Sequence, residues 1–513
     1  MHLKSVIRSL GLLMLLICIA MSLSLAIAAY EHYTAPTFMT KAAFFGFVYG
    51  LLFGVVISGG FLLFAHGATG RIEIKEALLL VTTSWLWGGF ISALPFYFFA
   101  LHLPEYIRGG FEFINFVNCF FEGVSGLTAT GASILADIDR LPSSILFWRG
   151  NIQWLGGLGI VVLFVAILPF IASGNTKIYK AEATGIPCDP GTANIGDMAR
   201  SLWIIYLGMT MLNMLLLKIG DSNLTWISAL TIAFSSTSTA GFSIFSQSAG
   251  SFTLFNQWVC IIFMFLGGVN YALYIGLTHG KIKGFLTDAE FKTYVYILFF
   301  ATVLIAINIY GHPYKNMAGQ PADNGLFATI TNATFQAVSI QTTTGFSNVD
   351  SDGFPAFSKI ILCLLMFVGG CGGSTSGGIK VIRILSAFRL VLLDVERVYR
   401  PHIVRPVVVG KKILDAATKQ GVLAYVLLVL ISCFLGTFLL AALEPSVDLV
   451  TLSVASIATF NNIGPGFGLI GASQNYNFFS DPAKILLSIF MIIGRLEFLT
   501  VLALLMPRFW RRF

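Results

Sequence analysis

The 24 residues at 77–100, ALLLVTTSWLWGGFISALPFYFFA, contain no charged side chain. A helix needs about 20 predominantly apolar residues to cross the hydrocarbon layer of a bilayer. Comparable runs recur along the chain, and 56% of its 513 residues are hydrophobic while only 11% are charged. Ordinary soluble domains carry about 25% charged residues. The sequence therefore predicts an all-α polytopic membrane protein and excludes a soluble domain.

Ten segments are long enough to cross a membrane, and four shorter ones lie between them. The short segments are expected to be re-entrant or buried rather than spanning. After residue 76 the order long, short, long occurs four times. The apolar run at 11–29 exceeds the core of a typical signal peptide, which favours a retained span over a cleaved one. The predicted spans lie near 6–29, 42–65, 77–100, 142–169, 201–219, 257–278, 293–310, 356–384, 421–443 and 483–506, and the short segments at 111–127, 224–236, 326–340 and 447–459.

Basic residues are unevenly distributed between the predicted loops. If the amino terminus is cytoplasmic, 22 of the 31 Lys and Arg residues fall on cytoplasmic ends and loops, nine of them in 380–419. The stretches with short segments have few, and residues 220–257 have none. The positive-inside rule then predicts that both termini are cytoplasmic and that the short segments enter from outside. A basic cytoplasmic face explains the net charge of +7 without a nucleic-acid partner.

Each short segment ends in a polar turn that contains a glycine. The turns are TATG (128–131), STAG (238–241), TTTG (342–345) and NNIG (461–464), and their glycines are 110, 104 and 119 residues apart. A period near 110 residues marks a repeated unit. The predicted organisation is two N-terminal transmembrane helices (1–70) followed by four pore repeats at 71–180, 181–285, 286–410 and 411–513, each with an outer helix, a re-entrant helix with its turn, and an inner helix.

The polar turns predict a cation filter. Non-helical backbone at membrane depth is tolerated only when protein buries it or when it lines a wet cavity. Four turns around one axis can offer rings of carbonyl oxygens that replace the hydration shell of a cation, and glycine permits the positive φ that this requires. The alternative is that the turns are packing contacts between small residues. The predicted filter residues are Ala129, Thr130, Gly131, Thr239, Ala240, Gly241, Thr343, Thr344, Gly345, Asn462, Ile463 and Gly464.

A second unusual stretch, GGCGGSTSGG at 369–378, contains six glycines in ten residues. Glycine costs a helix about 1 kcal/mol relative to alanine, so the span at 356–384 is expected to break around a flexible loop. A phosphate cradle is the alternative, but the spacing does not match a Walker motif.

These motifs together resemble the Trk/Ktr/HKT superfamily of potassium transporters, and within it the TrkH/TrkG-type membrane subunits, from about residue 70 to the end. The two spans before residue 70 are similar to the Trk branch. In this superfamily a glycine in all four turns goes with potassium selectivity, whereas Ala240 and Ile463 depart from fourfold symmetry. The resemblance is carried by FFEGVSGLTATGAS (120–133), FWRGNIQWLGGLGIVV (147–162), STSTAGFS (236–243), QTTTGFSN (341–348), VGGCGGSTSGGIKVIRIL (368–385), FNNIGPGFG (460–468) and IIGRLEFLTVLALLMPRFWR (492–511).

The resemblance also implies a gate. The glycine-rich loop would lie under the filter and obstruct the pore, with Arg495 near it. An intramembrane arginine by default marks a functional site; the alternative is a structural ion pair of Arg495 with Glu122 or Glu497. The predicted gate residues are Gly372, Gly373, Ser374, Thr375, Ser376, Gly377, Gly378, Lys380 and Arg495.

The predicted function is a potassium-uptake pore subunit of a bacterial inner membrane, with K⁺ as its transported substrate. The alternative is a Na⁺-permeable or Na⁺/H⁺-coupled K⁺ transporter; a membrane receptor or enzyme is disfavoured because the sequence has no soluble binding domain and no Ser/His/Asp, Cys/His or metal cluster. The resemblance implies a homodimer and a cytosolic TrkA-like nucleotide-binding regulatory subunit, with 380–419 as a docking face. This chain itself has no nucleotide motif.

Overall fold

The computed structural model describes residues 2–68, 72–159, 195–403, 405–410, 412–496 and 498–511. Several residues used in the sequence predictions lie outside these ranges. They are five of the basic residues counted on the cytoplasmic side (Arg71, Lys177, Lys180, Lys411 and Arg512), Glu497, and the second part of the predicted span at 142–169.

The described chain is predominantly helical, and six single helices are long and apolar enough to cross a membrane. After the first two helices, a long helix is followed by a short one and then by a helix that ends early, four times in succession. In chain order the α-helices are α1 (Leu3–Thr34), α2 (Phe38–Phe64), α3 (Ile74–Leu101), α4 (Glu105–Arg108), α5 (Phe116–Leu127), α6 (Ser143–Gly157), α7 (Ile195–Gly220), α8 (Trp226–Thr237), α9 (Leu254–Gly267), α10 (Tyr271–Thr278), α11 (Ile282–Thr287), α12 (Ala289–Ile309), α13 (Leu326–Gln341), α14 (Ala356–Val368), α15 (Val381–Tyr399), α16 (Ala416–Leu443), α17 (Leu449–Phe460), α18 (Asp481–Arg495), α19 (Phe498–Leu505) and α20 (Pro507–Trp510).

The first three helices pack closely because small residues face their neighbours. A Cβ added at Gly46 of α2 would lie only 2.8 Å from the backbone nitrogen of Phe99 in α3. The carboxylate of Glu31 at the end of α1 accepts hydrogen bonds from the backbone N–H groups of Ser143 and Ser144, at 2.8 and 3.0 Å. A carboxylate at a helix amino terminus satisfies otherwise unpaired N–H groups. α1 is thereby tied to α6, which follows the first polar turn.

The short helices α5, α8, α13 and α17 are the segments that the sequence predicted, with ends that differ by a few residues. Three of them have a side-chain cap at their amino terminus. Asn115, Thr225 and Asp448 each accept a hydrogen bond from a backbone N–H in the first turn. Such caps stabilise a helix by about 1 kcal/mol, so a helix of 12 residues can begin at a fixed point.

The helices that follow the short ones differ from the sequence prediction. The spans predicted as continuous at 257–278 and 483–506 are broken: α9 and α10 meet at 92°, and α18 and α19 at 114°. The prediction of continuous spans was wrong because it rested on apolar length, whereas the breaks depend on contacts with distant segments, such as the hydrogen bond from Cys371 N–H to Gly268 O. The expected interruption after 356 is present, since α14 ends at Val368 and α15 begins at Val381. A 14-residue helix is about 21 Å long, so each break lies well short of a full crossing.

A small β-hairpin follows α15. Its strands, β1 (Val408–Val409) and β2 (Lys412–Ile413), pair antiparallel. Leu390 and Leu393 of α15 pack against Val407, Val409 and Leu414. This cluster packs the hairpin against α15.

Candidate functional site

The four polar turns have the same backbone conformation. The second residue of each has a positive φ, namely Ala129 (55°), Thr239 (52°), Thr343 (58°) and Asn462 (54°). The glycine two positions later also has a positive φ, between 80° and 89° at Gly131, Gly241, Gly345 and Gly464. Four segments of different sequence therefore share one alternating geometry.

Each turn is held by the same pair of backbone hydrogen bonds to its short helix. In the first turn Ala129 N–H donates to Gly126 O at 3.0 Å and Thr130 N–H donates to Ser125 O at 2.9 Å. This is the Schellman arrangement, in which glycine normally occupies the left-handed position. In the other turns, the bonds that span five residues run from Ala240 N–H to Ser235 O, from Thr344 N–H to Ser339 O and from Ile463 N–H to Ala458 O, at 2.9, 2.8 and 2.8 Å.

Side chains occupy the left-handed position that glycine would fill without strain. Thr239 and Thr343 are β-branched, which makes a positive φ especially unfavourable. Such a conformation costs roughly 1–2 kcal/mol per residue. Strain repeated at equivalent places is typical of functional sites, where the surroundings compensate for it.

The turns contact one another in a closed ring. A Cβ added at Gly131 would overlap the carbonyl oxygen of Ala240 in the second turn. The same overlap would arise between each later glycine and the next turn in chain order, and the fourth returns to the first. The remaining overlaps are Gly241 with Thr344 O, Gly345 with Ile463 O, and Gly464 with Thr130 O.

Hydroxyl and amide groups connect the turns further. Thr128 and Thr130 share a hydrogen bond of 2.7 Å within the first turn, and Thr342 and Thr344 share one of 2.8 Å within the third. Asn462 of the fourth turn donates to Thr130 Oγ1 at 2.9 Å. The predicted filter residues are thus brought together, and all twelve are buried except for partial exposure at Gly131 and Gly241.

The glycine-rich loop (369–380) packs directly against this ring. Thr375 Oγ1 lies 2.9 Å from Thr239 Oγ1, and Gly377 N–H donates to Thr343 Oγ1 at 2.7 Å. A Cβ added at Gly377 would overlap Asn461 O of the fourth turn. Cys371 N–H donates to Gly268 O at 2.8 Å, at the break between α9 and α10. The strained threonines therefore contact the loop through their side chains.

Arg495 joins the loop to the end of α6. Its Nη1 donates to Thr375 O at 2.8 Å, and its Nη2 donates to Gly156 O at 2.6 Å and to Gly157 O. Arg495 is the last residue of α18. The expectation that it lies inside a continuous span is therefore corrected, because the chain bends directly after it.

The alternative prediction paired Arg495 with Glu122, but the structure gives Glu122 a different partner. Its carboxylate pairs instead with Arg149 of α6, at 2.8 Å, and both side chains are buried. Glu122 also accepts hydrogen bonds from Ile134 N–H and Ser133 Oγ, both at 3.0 Å. Arg149 further donates to Ser243 O at 3.0 Å, and its guanidinium lies over the Phe242 ring. This network holds the chain just beyond the first and second turns.

Glu290, in the first turn of α12, contacts the glycine-rich loop and was not predicted as a site residue from the sequence. Its Oε1 accepts hydrogen bonds from Gly372 N–H at 2.6 Å and from Ile382 N–H at 3.0 Å. Lys380, which was predicted, donates from Nζ to Ser376 O. Both ends of the glycine-rich loop are thereby fixed. The only sequence signal for Glu290 was an acidic residue at the start of an apolar helix, which a favourable helix-dipole interaction explains equally well.

Comparisons with known proteins identify the family of the chain. Residues 56–511 match the family described as "TrkH: Cation transport protein". The chain belongs to the TrkH family. It is 32% identical over 522 residues to "Trk system potassium uptake protein TrkH" of Escherichia coli (strain K12), with 100% of both chains covered. It is 28% identical to "Trk system potassium uptake protein TrkG" of the same organism, with 99% of both covered.

A solved structure is similar over the same length. The crystal structure of the potassium transporter TrkH from Vibrio parahaemolyticus superposes with a TM-score of 0.83 and 28% identity, and 100% of each chain is covered. The predicted family is thus confirmed, and TrkH proteins form a membrane transport family rather than a family of enzymes. Within the ranges described, no group of three or more His, Cys, Asp or Glu residues could hold a metal ion.

Arg149→Met should destabilise this TrkH-family chain, because the Glu122 carboxylate would remain buried without its counter-charge. Breaking a buried pair typically costs about 3–5 kcal/mol. Replacing both partners, in Glu122→Gln/Arg149→Met, should recover at least half of the lost stability. The measurement is the apparent Tm of the detergent-purified protein, with Arg140→Met, at a partly exposed ion pair, as the control. A single variant as stable as the wild type, or a double variant no better than the single, would contradict the pairing.

Proposed function

We propose that this chain is the pore subunit of a Trk-type potassium uptake system and that K⁺ passes through the ring of four turns. The observation that carries the proposal is the closed ring itself. Four turns from four parts of the chain meet in order, each glycine against the carbonyl oxygen that precedes the next glycine. The relatives of the chain are potassium uptake proteins, and this supports the choice of ion.

The physical argument concerns the cost of removing water from a cation. Carbonyl oxygens gathered around an axis replace hydration oxygens without adding fixed charge. The short helices α5, α8, α13 and α17 end at the ring, so the negative ends of their dipoles add a favourable potential for a cation. Thr130 and Thr344 add hydroxyl groups, whereas Ala240 and Ile463 do not.

The proposed arrangement has two N-terminal helices in 1–70 and four pore repeats at 71–180, 181–285, 286–410 and 411–513. The repeated order of long helix, short helix, turn and interrupted helix supports it. The distribution of Lys and Arg supports a cytoplasmic position for both termini, and the similarity to bacterial Trk-system proteins supports an inner-membrane location. The glycine-rich loop then lies on the cytoplasmic side of the ring.

The proposed gate is the glycine-rich loop together with Arg495. The loop contacts the second, third and fourth turns, and Arg495 connects it to α6 near the first. An obstruction held by several hydrogen bonds can be released by one concerted movement. The proposed trigger is a cytosolic TrkA-like nucleotide-binding subunit that docks on the basic segment 380–419 of a homodimer. No nucleotide would bind to this chain itself.

One observation favours a second candidate, a Na⁺-permeable or Na⁺/H⁺-coupled K⁺ transporter. Two of the four turns lack the hydroxyl that Thr130 and Thr344 supply, so the ring is less symmetric than four identical turns would be. Competition between Na⁺ and Rb⁺ uptake separates this candidate from a potassium-selective pore.

Gly345→Ser should lower the K⁺/Na⁺ discrimination of uptake by about tenfold, equivalent to about 1.4 kcal/mol, because a Cβ there would displace the Ile463 carbonyl. The assay is potassium-limited growth and Rb⁺ uptake, with and without Na⁺, in cells that lack other potassium importers. Gly319→Ser is the matched control, since Gly319 has a similar φ of 77° but open space around it. If wild type fails to restore growth, the proposed function is wrong. If Gly345→Ser and Gly319→Ser discriminate equally well, Gly345 does not belong to the filter.

Arg495→Ala should raise the basal cation flux of reconstituted protein by about tenfold, because the loop loses charge-assisted hydrogen bonds that contribute about 1.5–3 kcal/mol. Arg495→Lys should give an intermediate flux, since the charge remains but the planar fork is lost. Flux is normalised to monodisperse protein, and the exposed Arg508→Ala controls for loss of a positive charge near the same end of the chain. Unchanged or lower flux in Arg495→Ala would show that Arg495 does not maintain the closed gate.

A further inference from the structure

Gln153 of α6 is a fully buried amide, and within the part of the chain that the structure describes its side-chain hydrogen bonds all go to the second turn and the residues that flank it. Its Oε1 accepts from Ser235 Oγ at 2.6 Å and from Phe242 N–H at 3.2 Å. Its Nε2 donates to the carbonyl oxygen of Ala240 at 2.8 Å. Because Phe242 presents an N–H, the amide oxygen must face it and the NH₂ group must face Ala240. One side chain therefore binds the end of α8, the second turn and the residue that follows the turn.

The carbonyl that Gln153 engages belongs to the ring. Ala240 O is the oxygen against which Gly131 packs, and its counterparts are Thr130 O, Thr344 O and Ile463 O. Of these four carbonyl oxygens, only that of Ala240 accepts a hydrogen bond from a side-chain amide among the hydrogen bonds described for the chain. Under the proposed function, this oxygen faces a permeating cation while it already shares a hydrogen bond with Gln153.

The residue that corresponds to Gln153 in the other three repeats is methionine. The sequences WLGG (154–157), FLGG (265–268), FVGG (367–370) and IIGR (492–495) align the four interrupted helices. Structure supports the alignment, since Gly156, Gly267 and Gly494 each press against the last residue of their own short helix, at Leu127 O, Thr237 O and Phe460 O. The residue before each motif is Gln153, Met264, Met366 and Met491, and all four are buried.

Arg149, one helical turn before Gln153, is also a polar residue that the other three repeats lack at the equivalent position. It lies on the same face of α6 as Gln153, because residues four apart are neighbours on a helix. The corresponding residues in the other repeats are Cys260, Leu362 and Leu487, none of which is charged. Arg149 donates to Ser243 O, just beyond the second turn. The polar face of α6 therefore holds the second turn before, at and after its glycine.

We infer that Gln153 is a positioning residue for ion discrimination, which holds the second turn at a fixed distance from the axis. Its hydrogen bond also makes the carbonyl oxygen of Ala240 chemically different from the equivalent oxygens of the other three turns. This inference rests on the proposed function. A buried methionine of similar volume would fill the space but leave Ala240 O, Phe242 N–H and the Ser235 hydroxyl without that partner. A turn freed from these hydrogen bonds can move toward a smaller ion, so the affinity for Na⁺ should rise relative to the affinity for K⁺. A role in packing alone would instead weaken the binding of both ions together.

The test measures ion binding to purified full-length protein, which does not require the gate to open. A cation that binds only the folded state raises its Tm in a concentration-dependent manner. The Tm is titrated with KCl and with NaCl at constant ionic strength, balanced with choline chloride, and the ratio of the two apparent affinities is the readout. The variants are Gln153→Met and the milder Ser235→Ala, which removes the hydroxyl that orients the amide. Met264→Leu, in the same layer of the second repeat, is the control.

Gln153→Met is expected to lower the K⁺/Na⁺ affinity ratio by about tenfold, the change that about 1.4 kcal/mol produces, and Ser235→Ala by a smaller factor in the same direction. Met264→Leu should leave the ratio unchanged. If Gln153→Met does not yield folded protein, Ser235→Ala decides the question. An unchanged ratio in both variants, or an equal weakening of K⁺ and Na⁺, would overturn the inference.

Failure of the proposed function has a different signature. In that case wild-type protein would show no stabilisation by K⁺ beyond that by choline, and Gly345→Ser would behave like wild type. If wild type shows K⁺-specific stabilisation that Gly345→Ser abolishes, while Gln153→Met keeps the wild-type ratio, the ring remains the ion site and only the role of Gln153 is rejected.

Discussion

The close approach of four glycines to four carbonyl oxygens is the constraint on which the rest of the structure depends. A polypeptide in an apolar layer must satisfy its backbone polar groups within the protein. The four turns do so partly through hydrogen bonds to their own short helices and partly by packing against one another in a ring. Because no Cβ fits at Gly131, Gly241, Gly345 or Gly464, the turns can meet only with glycine at these positions.

The surroundings of the ring follow from this packing. Two of the side chains at the left-handed positions, Thr239 and Thr343, form hydrogen bonds with the glycine-rich loop. Movement of the loop would therefore change the hydrogen-bond partners of these two strained residues. Arg495 and Glu290 fix the loop from two other helices. If the loop is the proposed gate, an opening signal would have to break the contacts with both helices.

Much of the helical layout was predictable from local sequence, since apolar length and polar turns are both local properties. The short helices begin and end within about five residues of their predicted bounds, and the break after Val368 was expected from its glycines. The partners of buried polar residues were not predictable. Glu122 with Arg149, Glu290 with Gly372, and Gln153 with Ala240 are separated by 27 to 87 residues, and no local pattern specifies which of several candidates will meet. The bends after Gly267 and Arg495 were missed for the same reason, since they depend on contacts made by distant segments.

The proposed filter requires that the four turns together bind a dehydrated potassium-like cation. Anomalous diffraction from crystals of the wild-type protein grown in RbCl tests it most directly, because Rb⁺ substitutes for K⁺ and can be located independently of any assumed structure. We expect an anomalous peak on the axis of the ring, flanked by the carbonyl oxygens of Thr130, Ala240, Thr344 and Ile463. The absence of any peak within the ring, from crystals of protein that transports Rb⁺ in cells, would contradict it.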